Sequence, residues 1–349
     1  MNDYFKIKAI SYSFLKALSS SFKEGYNFLY GKEELKSKAL DTGSLIDDML
    51  TNPDIVSTKY AIFQGTKPTD KLLDLAEKYV ELFLERKDDE NYDDTNTILS
   101  ARAEVGYDSR LKDDTLIKRF EESCRGYCTF LTHNQDKVTT DLETYNNCMY
   151  IVSEVKKSPY YKDLFDTSKN IKIFYQVPFV MKIRRGLTKA LVDCIIVDYD
   201  TKTIHPIDIK TYEGDFVSNW WRYKYYYQEV WYYSMILALK SHESMLEEEF
   251  VNDDSIEISN LLKLDEFEVS AFKFLAIDKS NPYNIVIYKS YRDIYEDVFF
   301  KGRIHRGNGS YSSIKSIQSL INEFDYRIKE DDWSHDYDMI TQGFKQIQY

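Results

Sequence analysis

Two aspartates and a lysine within one short stretch are the residues whose types and spacing best suit chemistry. Lys189 to Thr211 reads KALVDCIIVDYDTKTIHPIDIKT. Two apolar, β-branched runs, Ala190 to Val197 and Ile204 to Ile209, flank a polar turn at Asp198 to Lys202, which is the pattern of a β-hairpin. Centring the turn on Asp200 and Thr201 sets Asp193 opposite Asp208 and Leu191 opposite Lys210. Side chains alternate along a strand, so Asp193, Asp208 and Lys210 then share a face. Opposed carboxylates repel, and an unpaired buried one is costly. A divalent cation between them reverses the sign of that interaction, and an all-oxygen site suits Mg²⁺ or Mn²⁺ better than zinc. A lysine beside the metal can orient or deprotonate a water and offset charge building on a phosphate. The hairpin therefore predicts metal-dependent phosphodiester hydrolysis.

The D-x-K spacing alone is a weak signal. Asp200-Thr201-Lys202 has the same form, and Glu154-Val155-Lys156 nearly so, on what read as a turn and a helix surface. The opposed Asp193 inside an apolar strand distinguishes the hairpin. Pro206 removes a ladder donor, so the second strand is expected to be an edge there, to be bulged, or to begin at Ile207.

The elements that must position these residues follow from the periodicity. Ile10 to Tyr30 reads as a helix capped by Ser11 or Ser13, with Phe14, Leu15, Leu18 and Phe22 inward. Lys36 to Leu50 reads as a second helix, with Gly43 and Asp47 on one face. Lys172 to Ile183 reads as a strand that leads through Arg184-Arg185-Gly186 into the hairpin. Val217 to Leu239 reads as one long helix with Trp221, Tyr225, Gln228 and Tyr232 along a stripe. Such an aromatic stripe is ordinary core, but Gln228 within it needs hydrogen-bond partners. Phe267 to Ile277 and Tyr283 to Lys289 read as a second hairpin, and Ser313 to Tyr349 as a helix and polar tail. The expected class is α/β (α+β), organised as a mostly helical part (1–165), a strand-rich core (166–300) and a C-terminal basic loop and helix (301–349). No repeat or composition break separates these parts, and one folded unit is expected.

A net charge of −12 argues against a passive nucleic-acid coat but permits a local basic channel. The candidate channel residues are Arg184, Arg185, Trp221, Arg222, Tyr225, Lys301, Arg303 and Arg306. The four cysteines form no C-x-x-C and fit core thiols in a reducing compartment. No apolar run reaches membrane-spanning length and the N-terminus lacks a signal-peptide core, so a cytoplasmic protein without a membrane partner is expected. No Walker A sequence is present, and no bound nucleotide is expected.

Gly43-Ser44-Leu45-Ile46-Asp47, Asp193, Asp208-Ile209-Lys210 and Gln228-Glu229-Val230-Trp231-Tyr232 resemble, in order, the motif set of PD-(D/E)XK nucleases of the RecB type. That set runs G-x-x-x-H, an aspartate, D-x-K and Q-x-x-x-Y. The opening ISYSFLKAL, DIKTYEGD with YYYQEVWYY, and FKFLAIDKSNPYNIVIYKS are similar to the exodeoxyribonuclease VIII branch, which includes phage recombination nucleases. The resemblance implies a restriction-endonuclease-like core, a central mixed sheet flanked by helices with the metal site at one end. It implies that Asp193, Asp208 and the Ile209 carbonyl hold Mg²⁺ or Mn²⁺, with Asp47 as a further ligand. Lys210 would position the attacking water, and Gln228 and Tyr232 would tie their helix to the site or contact the DNA. Asp47 replaces the motif histidine, and Gln176 stands where some relatives carry a glutamate. No cysteines follow Q-x-x-x-Y, so no iron–sulfur cluster is expected. The activity implied is a double-stranded DNA exonuclease acting on ends in recombination or replication, with a homo-oligomeric ring and a single-strand annealing protein as possible associates. The alternatives are an endonuclease and an inactive nuclease-fold DNA-binding scaffold.

Overall fold

The computed structural model describes residues 2–31, 42–166, 168–183, 186–241, 245–281, 284–306 and 309–330. Arg184, Arg185 and parts of the expected second and C-terminal helices lie outside the described residues. The chain divides into two compact units, one formed by Met1–Glu34 with Glu154–Tyr349 and the other by Leu35–Ser153.

In the first unit Ser21 divides the single helix expected over Ile10 to Tyr30. Its extended backbone ends α1 (Tyr12–Ser20), and its hydroxyl accepts from Glu24 N–H to begin α2 (Phe22–Tyr30). Ser11 caps α1 by accepting from Phe14 N–H at 3.3 Å. Phe14, Leu15, Leu18 and Phe22 are buried in the same core as the sheet.

The mixed sheet is built from β1 (Ile171–Ile183), β2 (Gly186–Asp198), β3 (Thr203–Tyr212), β4 (Lys273–Asp278) and β5 (Ile285–Tyr288), in that spatial order. Only the β3–β4 pairing along this path is parallel. A two-residue strand, Glu268–Val269, also pairs with β3. Between β3 and β4 the chain forms α3 (Phe216–Arg222), α4 (Tyr225–Lys240) and α5 (Asp253–Leu262), and α6 (Ile317–Glu330) follows the sheet. Helices thus flank a central mixed sheet, as the sequence led us to expect. The long helix expected from Val217 to Leu239 is broken at Lys224, whose φ is +58°. Trp221 therefore lies on α3, while Tyr225, Gln228 and Tyr232 lie on α4.

The expected hairpin register is observed, with Cys194 opposite Ile207, Ile195 opposite Pro206 and Val197 opposite Ile204. The β2–β3 ladder ends at Cys194 and Ile207, so neither the expected pair Asp193–Asp208 nor Leu191–Lys210 forms across it. Pro206 is inside β3 rather than at its start. Ser270 N–H donates to the Ile204 carbonyl, which places the main-chain groups of even-numbered β3 residues on the β4 side. Pairing on that side is interrupted between Ile204–Val269 and Ile207–Lys273, so the donor that Pro206 lacks has no ladder partner to serve.

Gln176 on β1 has φ +50° and falls, like Asp193 on β2, in the gap between the pairs Tyr175–Cys194 and Val177–Val192. Phe174 and Ile195 face the α4 side of the sheet, and so do the next pair but one, Val177 and Val192, although strict alternation would turn that pair away. Both strands shift alternation together at Gln176 and Asp193.

The second unit contains helices Thr42–Thr51, Asp70–Arg86, Asp94–Val105, Asp113–Ser123 and Arg125–His133, with a parallel pair of strands, Tyr60–Phe63 and Val138–Asp141. Its core includes Leu75, Tyr79, Ile98, Leu116 and Phe120. Cys124 and Cys128 are buried free thiols directed at the carbonyls of Leu72 and Ala76, at 3.6 Å each. No helix among the described residues is long and apolar enough to cross a membrane.

Candidate active site

The site forms where the β2–β3 ladder stops. Beyond Ile207 no β2 carbonyl pairs with the β3 backbone, and the Asp193 side chain supplies the missing acceptor. Its Oδ2 takes the Ile209 N–H at 2.9 Å. Because a strand residue directs its N–H and C=O to the same edge, the Ile209 carbonyl also faces β2. Asp208, one residue earlier, points to the α4 side, close enough to Asp193 for the charge of one carboxyl to act on the other.

Asp208 is completely buried. Its Oδ1 accepts from Gln228 Nε2 at 2.7 Å. The Lys210 ammonium lies against Oδ2, although that oxygen receives no well-directed hydrogen bond. The contact is best described as charge against charge. Burial, followed by the Asp193 charge, raises the Asp208 pKa well above the usual carboxylate range, against the lowering pull of Lys210. Burial works against the Lys210 charge, but Asp208 and Asp193 together outweigh it and raise the lysine pKa. Lys210 is thus an ammonium here, and 19% of its side chain remains exposed. It lies 5.3 Å from the centre of the Tyr225 ring, a cation–π contact.

Helix α4 supplies the cover. Gln228 and Tyr232, one turn apart, are buried over the carboxylates. Gln228 Oε1 is buried without a hydrogen-bond partner, while its amide nitrogen is committed to Asp208. Burial and the charges of Asp208 and Asp193 raise the Tyr232 pKa, so it remains a neutral phenol.

The structure thus brings together Asp193, Asp208, Ile209, Lys210, Tyr225, Gln228 and Tyr232. Asp47 lies on Thr42–Thr51 in the other unit, where its carbonyl accepts from Thr51 Oγ1 at 2.8 Å. Trp221 is edge-on to Trp220. Arg222 is exposed, over the Tyr223 ring. Lys301 and Arg303 both contact the buried Asp297 carboxylate, and Arg306 donates to Ser312 Oγ. Lys301 also pairs with the exposed Glu296, so the charges of Lys301 and Arg303 are matched by neighbouring acids.

Two residues on α1 belong to the site without having been singled out. Tyr12 is near enough for the charges of Lys210 and Asp208 to act on it, and its hydroxyl donates to the Tyr223 carbonyl at 2.7 Å. Lys16 has its pKa lowered by burial and then by the Lys210 charge. Their i, i+4 spacing, beside the apolar face of α1, was the available sequence signal.

Among the described residues no three His, Cys, Asp or Glu side chains converge as a ready-made metal cage. The donors that do converge are two carboxylates and the backbone carbonyl of Ile209. Such an oxygen set fits a hard cation that keeps waters in its shell, as Mg²⁺ does, better than zinc.

No family model matches the sequence, and no curated protein matches it. Among solved structures, a "putative exonuclease" from Eubacterium rectale aligns over 83% of this chain and 75% of its own, with a TM-score of 0.37 and 12% identity. A likeness this loose identifies neither a family nor a reaction.

Proposed function

We propose that this chain is a divalent-metal-dependent deoxyribonuclease. The observation that carries the reading is the fully buried Asp208 with the Lys210 ammonium against it and Asp193, on the neighbouring strand, near enough for its charge to act on Asp208. Two acids so placed are unfavourable for stability alone, and a cation gives them a purpose.

Asp193, Asp208 and the Ile209 carbonyl would hold the cation, which when bound supplies Lewis-acid activation of water and phosphate. The Ile209 N–H fixes the Asp193 carboxylate, and Gln228 fixes that of Asp208. Lys210 would orient the attacking water or offset negative charge building on a phosphate oxygen. Tyr232 and Gln228 close the buried side of the site. An exonuclease working on double-stranded ends is the finer reading, following the motif resemblance.

Purified protein incubated with end-labelled linear duplex and Mg²⁺ or Mn²⁺ should degrade it, and Asp208→Ala or Lys210→Ala should abolish degradation. A folded wild type that is inert with either metal contradicts the proposal. Closed circular DNA separates exonuclease from endonuclease, because an exonuclease needs an end. A second reading, a non-catalytic DNA-binding scaffold, draws on the Lys210–Asp208 ion pair, which already neutralises the buried acid. That protein would show no metal-dependent rise in melting temperature.

A further inference from the structure

A line of cations that form no ion pair among the described residues leads away from the carboxylates. The Lys16 ammonium lies 5.3 Å from the centre of the Tyr223 ring, and the Arg222 guanidinium lies 5.5 Å from that centre. Tyr223 stacks on Tyr225 at 5.7 Å, and Tyr225 carries Lys210. Lys224 donates to Ser19 Oγ and Ser20 Oγ at 2.8 and 3.1 Å and is close enough to feel both Lys16 and Lys315. Lys315 lies 4.9 Å from the centre of the Phe22 ring. Glu24 is the acid whose charge acts on Lys224, but among the described residues none of Lys16, Arg222, Lys224 and Lys315 forms an ion pair.

What sets these four apart is that they cluster on neighbouring rings and hydroxyls in a chain whose net charge is −12. Rings and hydroxyls hold the cations in place while leaving most of their charge available. A carboxylate would cancel that charge, as Asp297 does for Arg303. Holding several like charges close together is unfavourable until an external polyanion arrives.

We infer that Lys16, Arg222, Lys224 and Lys315 form a phosphate-binding strip that holds the substrate strand beyond the scissile phosphate. This rests on the nuclease reading for its substrate, but it is tested apart from cleavage. Each lysine or arginine on a phosphate releases counterions, so the salt dependence of binding counts the contacts.

The experiment measures fluorescence anisotropy of a labelled oligothymidylate in EDTA across a salt series. Lys16→Gln/Arg222→Gln and, separately, Lys224→Gln/Lys315→Gln should each reduce the salt slope by about 1.4 and weaken binding about tenfold at physiological salt. Lys202→Gln, on the β2–β3 turn, is the control and should retain the wild-type slope. The two double variants guard against one failing to fold, which melting curves reveal. Wild-type slopes in both folded variants, or no binding by the wild type, overturn the strip. If the wild type binds through the strip but leaves DNA intact with Mg²⁺ and Mn²⁺, the strip stands and the nuclease reading falls. Cleavage with an unchanged slope removes the strip alone.

Discussion

Glu229→Gln should make the protein more stable, by an amount that grows with pH. Glu229 follows Gln228 on α4 and is 4% exposed, with Ser290 Oγ 2.6 Å from its carboxyl. Burial pushes its pKa up to about 8, only partly countered by the hydrogen bond from Ser290. The folded pKa lies above the unfolded value, so folding favours the protonated acid. Its cost to stability is absent well below the unfolded pKa, grows as pH rises toward 8 and then levels off. At 1.36 kcal/mol per pKa unit, the wild type loses about 1.4 kcal/mol by about pH 5.5 and between 4 and 5 kcal/mol by about pH 8.5. Glutamine keeps the shape and hydrogen-bonding capacity but does not titrate. The stability gap between variant and wild type should therefore widen by about 3 kcal/mol across that interval. Urea unfolding of both proteins at the two pH values measures it. A gap that does not change with pH refutes the assignment of a buried, protonated Glu229.

Gln228→Leu leaves buried Asp208 Oδ1 without its donor and should lower metal-free stability by about 1–3 kcal/mol, read by urea midpoints, while slowing DNA cleavage. Unchanged stability would reduce Gln228 to a space-filling role. Phe274→Ala removes a fully buried ring beside Asp208 in the β3–β4 register and should cost about 3–5 kcal/mol. A loss under about 1 kcal/mol would mean that the core under the site collapses freely around the gap.

The β2–β3 hairpin was legible because a short polar turn and alternating apolar residues fix both register and face, and the observed pairs Ile195–Pro206 and Val197–Ile204 follow from them. Gln228 was legible as a buried amide needing a partner, and Asp208 is that partner. Other features depend on backbone choices with no composition signal. Ser21 both ends α1 and begins α2, and a serine caps a helix only once the surrounding chain turns there. Lys224 and Gln176 adopt left-handed backbone conformations that non-glycine residues seldom take, and tertiary contacts must hold them there. Lys16 and Tyr12 were concealed because a polar stripe on a first helix looks like an ordinary solvated face. Lys301 and Arg303 looked like the clearest basic cluster, but Asp297, which takes up their charge, is buried within it.

The most direct test of the central claim is an anomalous difference map from crystals soaked in Mn²⁺. A single peak should lie within about 2.0–2.3 Å of one carboxylate oxygen from Asp193 and one from Asp208, with Lys210 withdrawn from Asp208 Oδ2. No peak there at saturating Mn²⁺, with Lys210 still seated on Asp208, would contradict the account.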